Sequence, residues 1–278
     1  MNPPIDLAAY FARIGYRGPH TASLETLRSL HRLHPQQIPF ENLGPLLREP
    51  VLLTPEAIQA KLVGAGRGGY CFEHNHLLKW ALEALGFEVT GLAARVVWGR
   101  DPADTLPPRS HMVLRVRVED GDETGDFIAD VGFGGLTLTA PLRLQADIEQ
   151  ATPHEPFRLR AEGDVFVMEA EIRDVWTPLY RLDLVPQEPA DYVAMNWYSA
   201  THPESRFVRQ LVVARSEPGR RYTLMDRELG IHSLETGSDK RPLTTPGQLR
   251  EALGFTMNIR LPDSPALNAV LTRIAEGE

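Results

Sequence analysis

The sequence predicts an α+β fold in three parts, and three observations carry it. Residues 1–88 show helical periodicity punctuated by N-cap residues. Residues 89–200 open on short β-type runs separated by Pro, Gly and Asp, spaced as in an antiparallel barrel or sandwich. Residues 201–278 mix both textures. No internal repeat or low-complexity tract crosses these boundaries.

In the first part Asp6 is placed to cap "LAAYFARIGY" and Ser23 to cap "LETLRSLHRLH". Thr54, with Pro55 at the first helical position, starts "PEAIQAKLV". A fourth helix begins near Cys71, because Leu78, Ala81, Leu82 and Leu85 recur at helical steps before Gly86 stops the run. In the second part "EVTGLAARVVWG", "HMVLRVRV", "FIADVGF", "PFRLRAEG", "DVFVMEAEIR" and "PLYRLDLV" read as strands, and "PADYVAMNWYSATHP" reads as a helix. "DPADTLPPRS" between the first two strands is an exposed loop. The last part holds a strand in "FVRQLVVARS" and a helix in "TPGQLREALGF".

Composition excludes several classes of function. At 278 residues, with 42% hydrophobic and 24% charged residues, the chain can bury a sizeable core. A net charge of −8 without any Lys/Arg run opposes nucleic-acid binding. The opening "MNPPIDLAAYFARIGY" lacks a basic leader, and no run approaches the about 20 apolar residues of a membrane span. A cytoplasmic location is expected, with no membrane and no nucleic acid as partner.

The single cysteine, Cys71, cannot form an internal disulfide, so it is either buried filler or a reactive thiol. Its place at a helix start favours the thiol, because unpaired N–H groups and the helix dipole stabilise a thiolate there. Arg67 adds a nearby cation, and Gly66, Gly68 and Gly69 permit close approach of another backbone. Among the nine histidines, His74 and His76 read as a polar helix face, and with one cysteine no zinc ligand set assembles, so no metal is expected. His20, His31, His34, His154, His202 and His232 carry no local signal.

His111 differs. "SHMVLRVRVEDGDETGDFIADVGF" folds on paper into a hairpin about Asp120-Gly121, which pairs Arg115 with Asp126 and sets His111 opposite Asp130. A turn slipped to Gly121-Asp122 instead makes His111 and Asp130 diagonal neighbours on one face, still within reach. Asp130 interrupts an apolar run, where a carboxylate needs a partner; bonding to backbone N–H groups at the strand end is its alternative role. Cys71, His111 and Asp130 then supply the nucleophile, base and orienting acid of a triad.

With these residues in view, the chain resembles the arylamine N-acetyltransferase family. The matching stretches are "IPFENL" (38–43), "RGGYCFEHN" (67–75), "SHMVLRV" (110–116), "ADVGFGG" (129–135) and the spaced pattern in "NWYSATHPESRF" (196–207). The resemblance implies an N-terminal helical bundle, an antiparallel β-barrel and a C-terminal α/β lid around a cysteine-protease-like catalytic core. It implies that acetyl-CoA is the co-substrate and that an aromatic amine or hydrazine is the acceptor. Cys71 would take the acetyl group in a ping-pong reaction, His111 would act as base and Asp130 would orient it. It points to Gly132, Gly134, Gly135, Ser205 and Phe207 for CoA, and to Phe40, Arg67, Ser110 and Phe133 for the acceptor. Rival readings with the same three residues are an amidase or hydrolase, a transglutaminase-like acyltransferase, and a CoA-binding module without catalysis.

Overall fold

The computed structural model of the chain describes residues 4–277. Helix α1 (Leu7–Ile14) starts where the Asp6 carboxylate accepts the Ala9 N–H, and α2 (Leu24–Gln37) starts where the Ser23 hydroxyl accepts the Thr26 N–H. A two-residue strand, β1 (Phe40–Glu41), and a single turn, α3 (Leu43–Leu46), follow. α4 (Pro55–Ile58) is capped by Thr54 and widens into a π-helix over Gln59–Gly64. α5 (Cys71–Ala84) begins on the cysteine itself, with Glu73 accepting the Tyr70 N–H at 3.1 Å. Tyr10, Ile14, Leu27, Leu30, Phe72 and Leu78 bring α1, α2 and α5 into one buried cluster.

The second part forms a nearly closed barrel of seven strands: β2 (Glu88–Val96), β3 (His111–Val118), β4 (Gly125–Ala129), β5 (Leu142–Arg143), β6 (Phe157–Glu162), β7 (Val165–Ile172) and β8 (Val175–Leu182). Their order is β5-β4-β3-β2-β8-β7-β6, all antiparallel. The chain after β5 returns to β6 through bridges at Ala146–Leu159 and Gln150–Phe157. Alternation along β3 explains the placing of the barrel: Met112, Leu114, Val116 and Val118 join the helical cluster, whereas Val113 packs inward with Leu92 and Ile128.

The β3–β4 hairpin takes the slipped register, with Leu114 opposite Ala129 and Arg117, not Arg115, opposite Asp126. This register replaces the like-charge pair Glu119–Asp122 with Asp120 opposite Glu123, and the Glu123 carboxylate pairs with Arg143 at 3.1 Å. Gly121–Glu123 forms a 3-10 turn, and the freed Asp120 carboxylate accepts the Leu24 N–H at the start of α2 at 3.0 Å.

After the barrel come α6 (Pro189–Thr201), α7 (Arg206–Arg209), β9 (Val212–Glu217), β10 (Arg220–Met225), β11 (Glu228–Ser233), β12 (Gly237–Pro242), α8 (Pro246–Glu251) and α9 (Pro265–Glu276). The strand expected over "FVRQLVVARS" begins only at Val212, because Ser205 accepts the Phe207 N–H and starts a helical turn over the first residues. β9–β12 form an antiparallel sheet that β1 extends at one edge, in the order β1-β9-β10-β11-β12. Leu43 and Leu46 share a core with Leu224, Leu249 and Leu267, so the helical part and the last sheet are packed together. Tyr192 of α6 enters the helical cluster.

Candidate active site

Cys71 opens α5 and is 3% exposed, free of any disulfide. The loop before it is held very close to the strand β1: a Cβ on Gly68 would stand 2.0 Å from the Pro39 carbonyl oxygen, so only glycine fits. The Gly69 carbonyl accepts the Glu41 N–H at 2.7 Å. From the barrel side, a Cβ on Gly132 would stand 2.8 Å from the Cys71 Cα, so the chain after Asp130 passes directly against the cysteine.

His111 begins β3, and Asp130 follows the last residue of β4. Their side chains meet, with His111 Nε2 2.7 Å from Asp130 Oδ2 and both groups buried. That geometry leaves Nδ1 of the ring for the cysteine. Burial works against a charged His111, but the Asp130 charge, the hydrogen bond to it and the contact with Cys71 outweigh burial and raise its pKa. Burial likewise opposes ionisation of Asp130; the His111 charge, with hydrogen bonds from His111, Asn75 and the Gly132 N–H, lowers its pKa. The Cys71 Sγ also lies 3.6 Å from the Ser110 carbonyl oxygen.

A cavity of about 350 Å³ opens in front of the cysteine. Its wall contains Phe40, Ser110, His111, Gly132, Phe133, Gly134, Gly135, Ser205 and Phe207, which the sequence motifs single out. Arg67 is not on this wall. Its guanidinium donates twice to Glu41 Oε1, at 2.7 and 2.9 Å, inside the protein, so the structure does not bring it to a ligand. The wall also carries Tyr198 and Arg206, from the "NWYSATHPESRF" stretch, and Trp98, Arg100 and Met225, for which the sequence held no motif. Trp98 and Phe133 lie 5.9 Å apart, and Phe133 meets His111 edge-on at 5.3 Å. Among the described residues, no group of three or more His, Cys, Asp or Glu is arranged to hold a metal ion.

Several histidines that the sequence left as surface groups are buried behind the site. His74 is 0% exposed, not part of a polar face. Its Nε2–H donates to the Pro39 and Gly69 carbonyl oxygens at 3.1 and 3.0 Å. Its Nδ1 therefore accepts from His34 Nε2–H at 2.9 Å, and His34 Nδ1 accepts from the Tyr10 hydroxyl at 2.8 Å. Burial lowers the pKa of His34 and takes that of His74 down to about 4, so the chain of neutral donors is self-consistent. Asn75 was also missed. It donates to the Met112 carbonyl at 2.7 Å and to Asp130 Oδ1 at 3.0 Å, and accepts the Val131 N–H at 3.1 Å.

The N-acetyltransferase family model matches residues 23–265. The arylamine N-acetyltransferase of Mycobacterium tuberculosis is 42% identical over 273 residues, covering 98% of this chain and 95% of that one. The arylamine N-acetyltransferase of Mycolicibacterium smegmatis is 47% identical over 229 residues, covering 82% of each. The solved Mycobacterium marinum arylamine N-acetyltransferase in complex with CoA superposes with a TM-score of 0.92 at 38% identity, covering 97% of this chain and 99% of that one. These matches make the protein an acetyl-transferring enzyme. More narrowly, the chain belongs to the arylamine N-acetyltransferase family. No helix of the described residues is long and apolar enough to cross a membrane.

Proposed function

We propose that this protein carries acetyl from acetyl-CoA to an aromatic amine or hydrazine in two half-reactions, with Cys71 holding the group as a thioester between them. The observation that carries the reading is that Cys71 and His111 share the cavity wall while His111 is hydrogen-bonded to the buried Asp130 behind it. The proton on His111 is the one Cys71 gives up, and Asp130 keeps the resulting imidazolium in place. The sulfur attacks the acetyl carbonyl, and the charge that develops on oxygen meets the N–H groups that open α5. The carbon–sulfur bond to CoA then breaks, and CoA leaves as a thiol with the proton from His111.

In the second half-reaction a neutral amine attacks the acetyl-cysteine, His111 accepts the proton that the nitrogen loses, and the Cys71 sulfur is expelled. Thiol exchanges for thiol in the first step, so the acetyl group stays activated until the amine arrives. Phe40 and Phe133 supply aromatic walls for an aryl ring. Gly132, Gly134, Gly135, Ser205 and Phe207 form the wall that suits the CoA arm, while Arg100 and Arg206 match its anionic phosphates. A nucleophile that has to remain a free thiol fits a reducing compartment, and we place the protein in the cytoplasm.

Initial rates measured over a grid of acetyl-CoA and arylamine concentrations test the scheme. Parallel double-reciprocal lines are expected, with CoA release accelerated by aniline-type or hydrazine acceptors. Converging lines, or CoA release indifferent to the acceptor, would contradict it.

A further inference from the structure

The turn that presents Asp130 is held in an unusual way. β4 ends at Ala129, and the next three N–H groups each go to a side chain instead of a strand. The Asp130 N–H donates to His31 Nε2 at 3.0 Å, the Val131 N–H to Asn75 Oδ1 at 3.1 Å, and the Gly132 N–H to Asp130 Oδ1 at 2.9 Å. Two of these three acceptors come from helices, α2 and α5, and not from the barrel.

His31 is the less expected of the two. It is 0% exposed, and its Nε2 accepts only while it carries no proton, so the ring hydrogen sits on Nδ1. Nδ1 is itself buried and, among the described residues, has no hydrogen-bond partner. An unpaired donor in the interior is unfavourable, and a leucine of similar volume would avoid it. The ring is held in this tautomer by one useful contact, the one beneath Asp130.

We infer that His31 is a positioning residue for acetyl transfer: its Nε2 fixes the main chain of Asp130, so that the carboxylate meets His111 in line. The inference rests on the proposed roles of His111 and Asp130. Three features of the turn fit it. The carboxylate has one oxygen on His111 and the other on Asn75 and the Gly132 N–H, so a rotation of the Asp130 backbone would disturb all three contacts. Gly132 passes against the Cys71 Cα, so the same rotation would move the cavity wall at the sulfur. His31 itself is not on the cavity wall, and nothing it does reaches a ligand directly.

The test compares two amides that differ in reach. In His31→Gln the side-chain oxygen falls near the position of Nε2; in His31→Asn it stops near Nδ1 and cannot reach the Asp130 N–H. Both are neutral, polar and smaller than histidine, so a general packing loss affects both. With acetyl-CoA and an arylamine, His31→Gln should keep kcat within about threefold, whereas His31→Asn should lose about 10- to 100-fold in kcat with KM for both substrates little changed. The far-downfield proton of the His111–Asp130 hydrogen bond, read by NMR on either variant without turnover, should persist in His31→Gln and broaden or shift in His31→Asn. Equal kcat in the two variants, or an unmoved proton signal in His31→Asn, overturns the inference. Asp130→Asn, assayed alongside, separates the two levels: if it stays active, the reading of the triad fails; if it is inactive while His31→Asn is normal, only the role of His31 fails.

Discussion

His111 Nε2 and Asp130 Oδ2 stand 2.7 Å apart in a site where both side chains are buried, although the two residues are diagonal and not directly opposed in the β3–β4 ladder. The register that puts them there also pairs Arg117 with Asp126 at the outer end of the hairpin, 3.6 Å apart and partly exposed. One hairpin thus holds a buried pair and a solvent-screened pair, and the two should respond differently to neutralisation.

Asp130→Asn keeps the shape of the carboxylate and removes its charge. The rate of Cys71 acetylation should fall by about two to four powers of ten, by analogy with triads whose orienting acid was neutralised. Alkylation of Cys71 by iodoacetamide at neutral pH should slow as well. Asp126→Asn should leave both rates nearly unchanged, since an exposed pair contributes about 0–1 kcal/mol. Inactivation by Asp126→Asn with Asp130→Asn active would mean that the third member of the triad is misassigned.

The pair should also shape stability against pH. The folded-state pKa of His111 is raised, so its contribution is complete below the unfolded value of about 6.5 and fades as pH rises through the folded value. That of Asp130 is lowered, so its contribution is complete above about pH 4 and is lost as pH falls through the folded value. The difference in Tm between the wild type and Asp130→Asn should therefore be largest between about pH 4 and 6.5 and should narrow toward alkaline pH. A difference that widens steadily from pH 7 upward would contradict the assignment of the charged pair.

Arg67 should matter for stability and not for substrate affinity. Glu41 is 0% exposed, and Arg67 is the cation bound to it. Arg67→Met leaves a buried carboxylate without its cation, a change that destabilises by about 3–5 kcal/mol. Thermal unfolding should show the loss, while KM for acetyl-CoA and amine in the folded fraction should hold. A raised KM with an unchanged Tm would return Arg67 to the ligand.

Local signals account for what the sequence revealed. Asp6, Ser23 and Thr54 cap helices because capping is a matter of a few adjacent residues, and the β3–β4 hairpin follows from alternation with a turn between. What stayed hidden depends on partners far along the chain. The roles of His31, His34 and His74 become visible only when α2 is packed against α5 and β4, since a histidine in a helix reads the same whether its face is wet or buried. Arg67 reads as a cation beside the thiol because its partner Glu41 lies 26 residues earlier. β1 is two residues long, too short for any periodicity, and is a strand only because β9 pairs with it. Trp98 and Arg100 reach the cavity from the loop after β2, whose path no repeating pattern sets.

Cys71→Ser should abolish transfer and leave the circular dichroism spectrum native, because a serine hydroxyl does not ionise to a comparable nucleophile near neutral pH. Substantial transfer by this variant would remove the cysteine from the mechanism.

Intact-mass spectrometry of the protein mixed with acetyl-CoA in the absence of any amine tests the central claim most directly. One added acetyl group should appear, map to the peptide containing Cys71, be absent in Cys71→Ser, and disappear when an arylamine or hydrazine is added, with the acetylated amine formed in equal amount. A protein that forms acetylated amine while never carrying the acetyl group, or that carries it on another residue, would contradict the account.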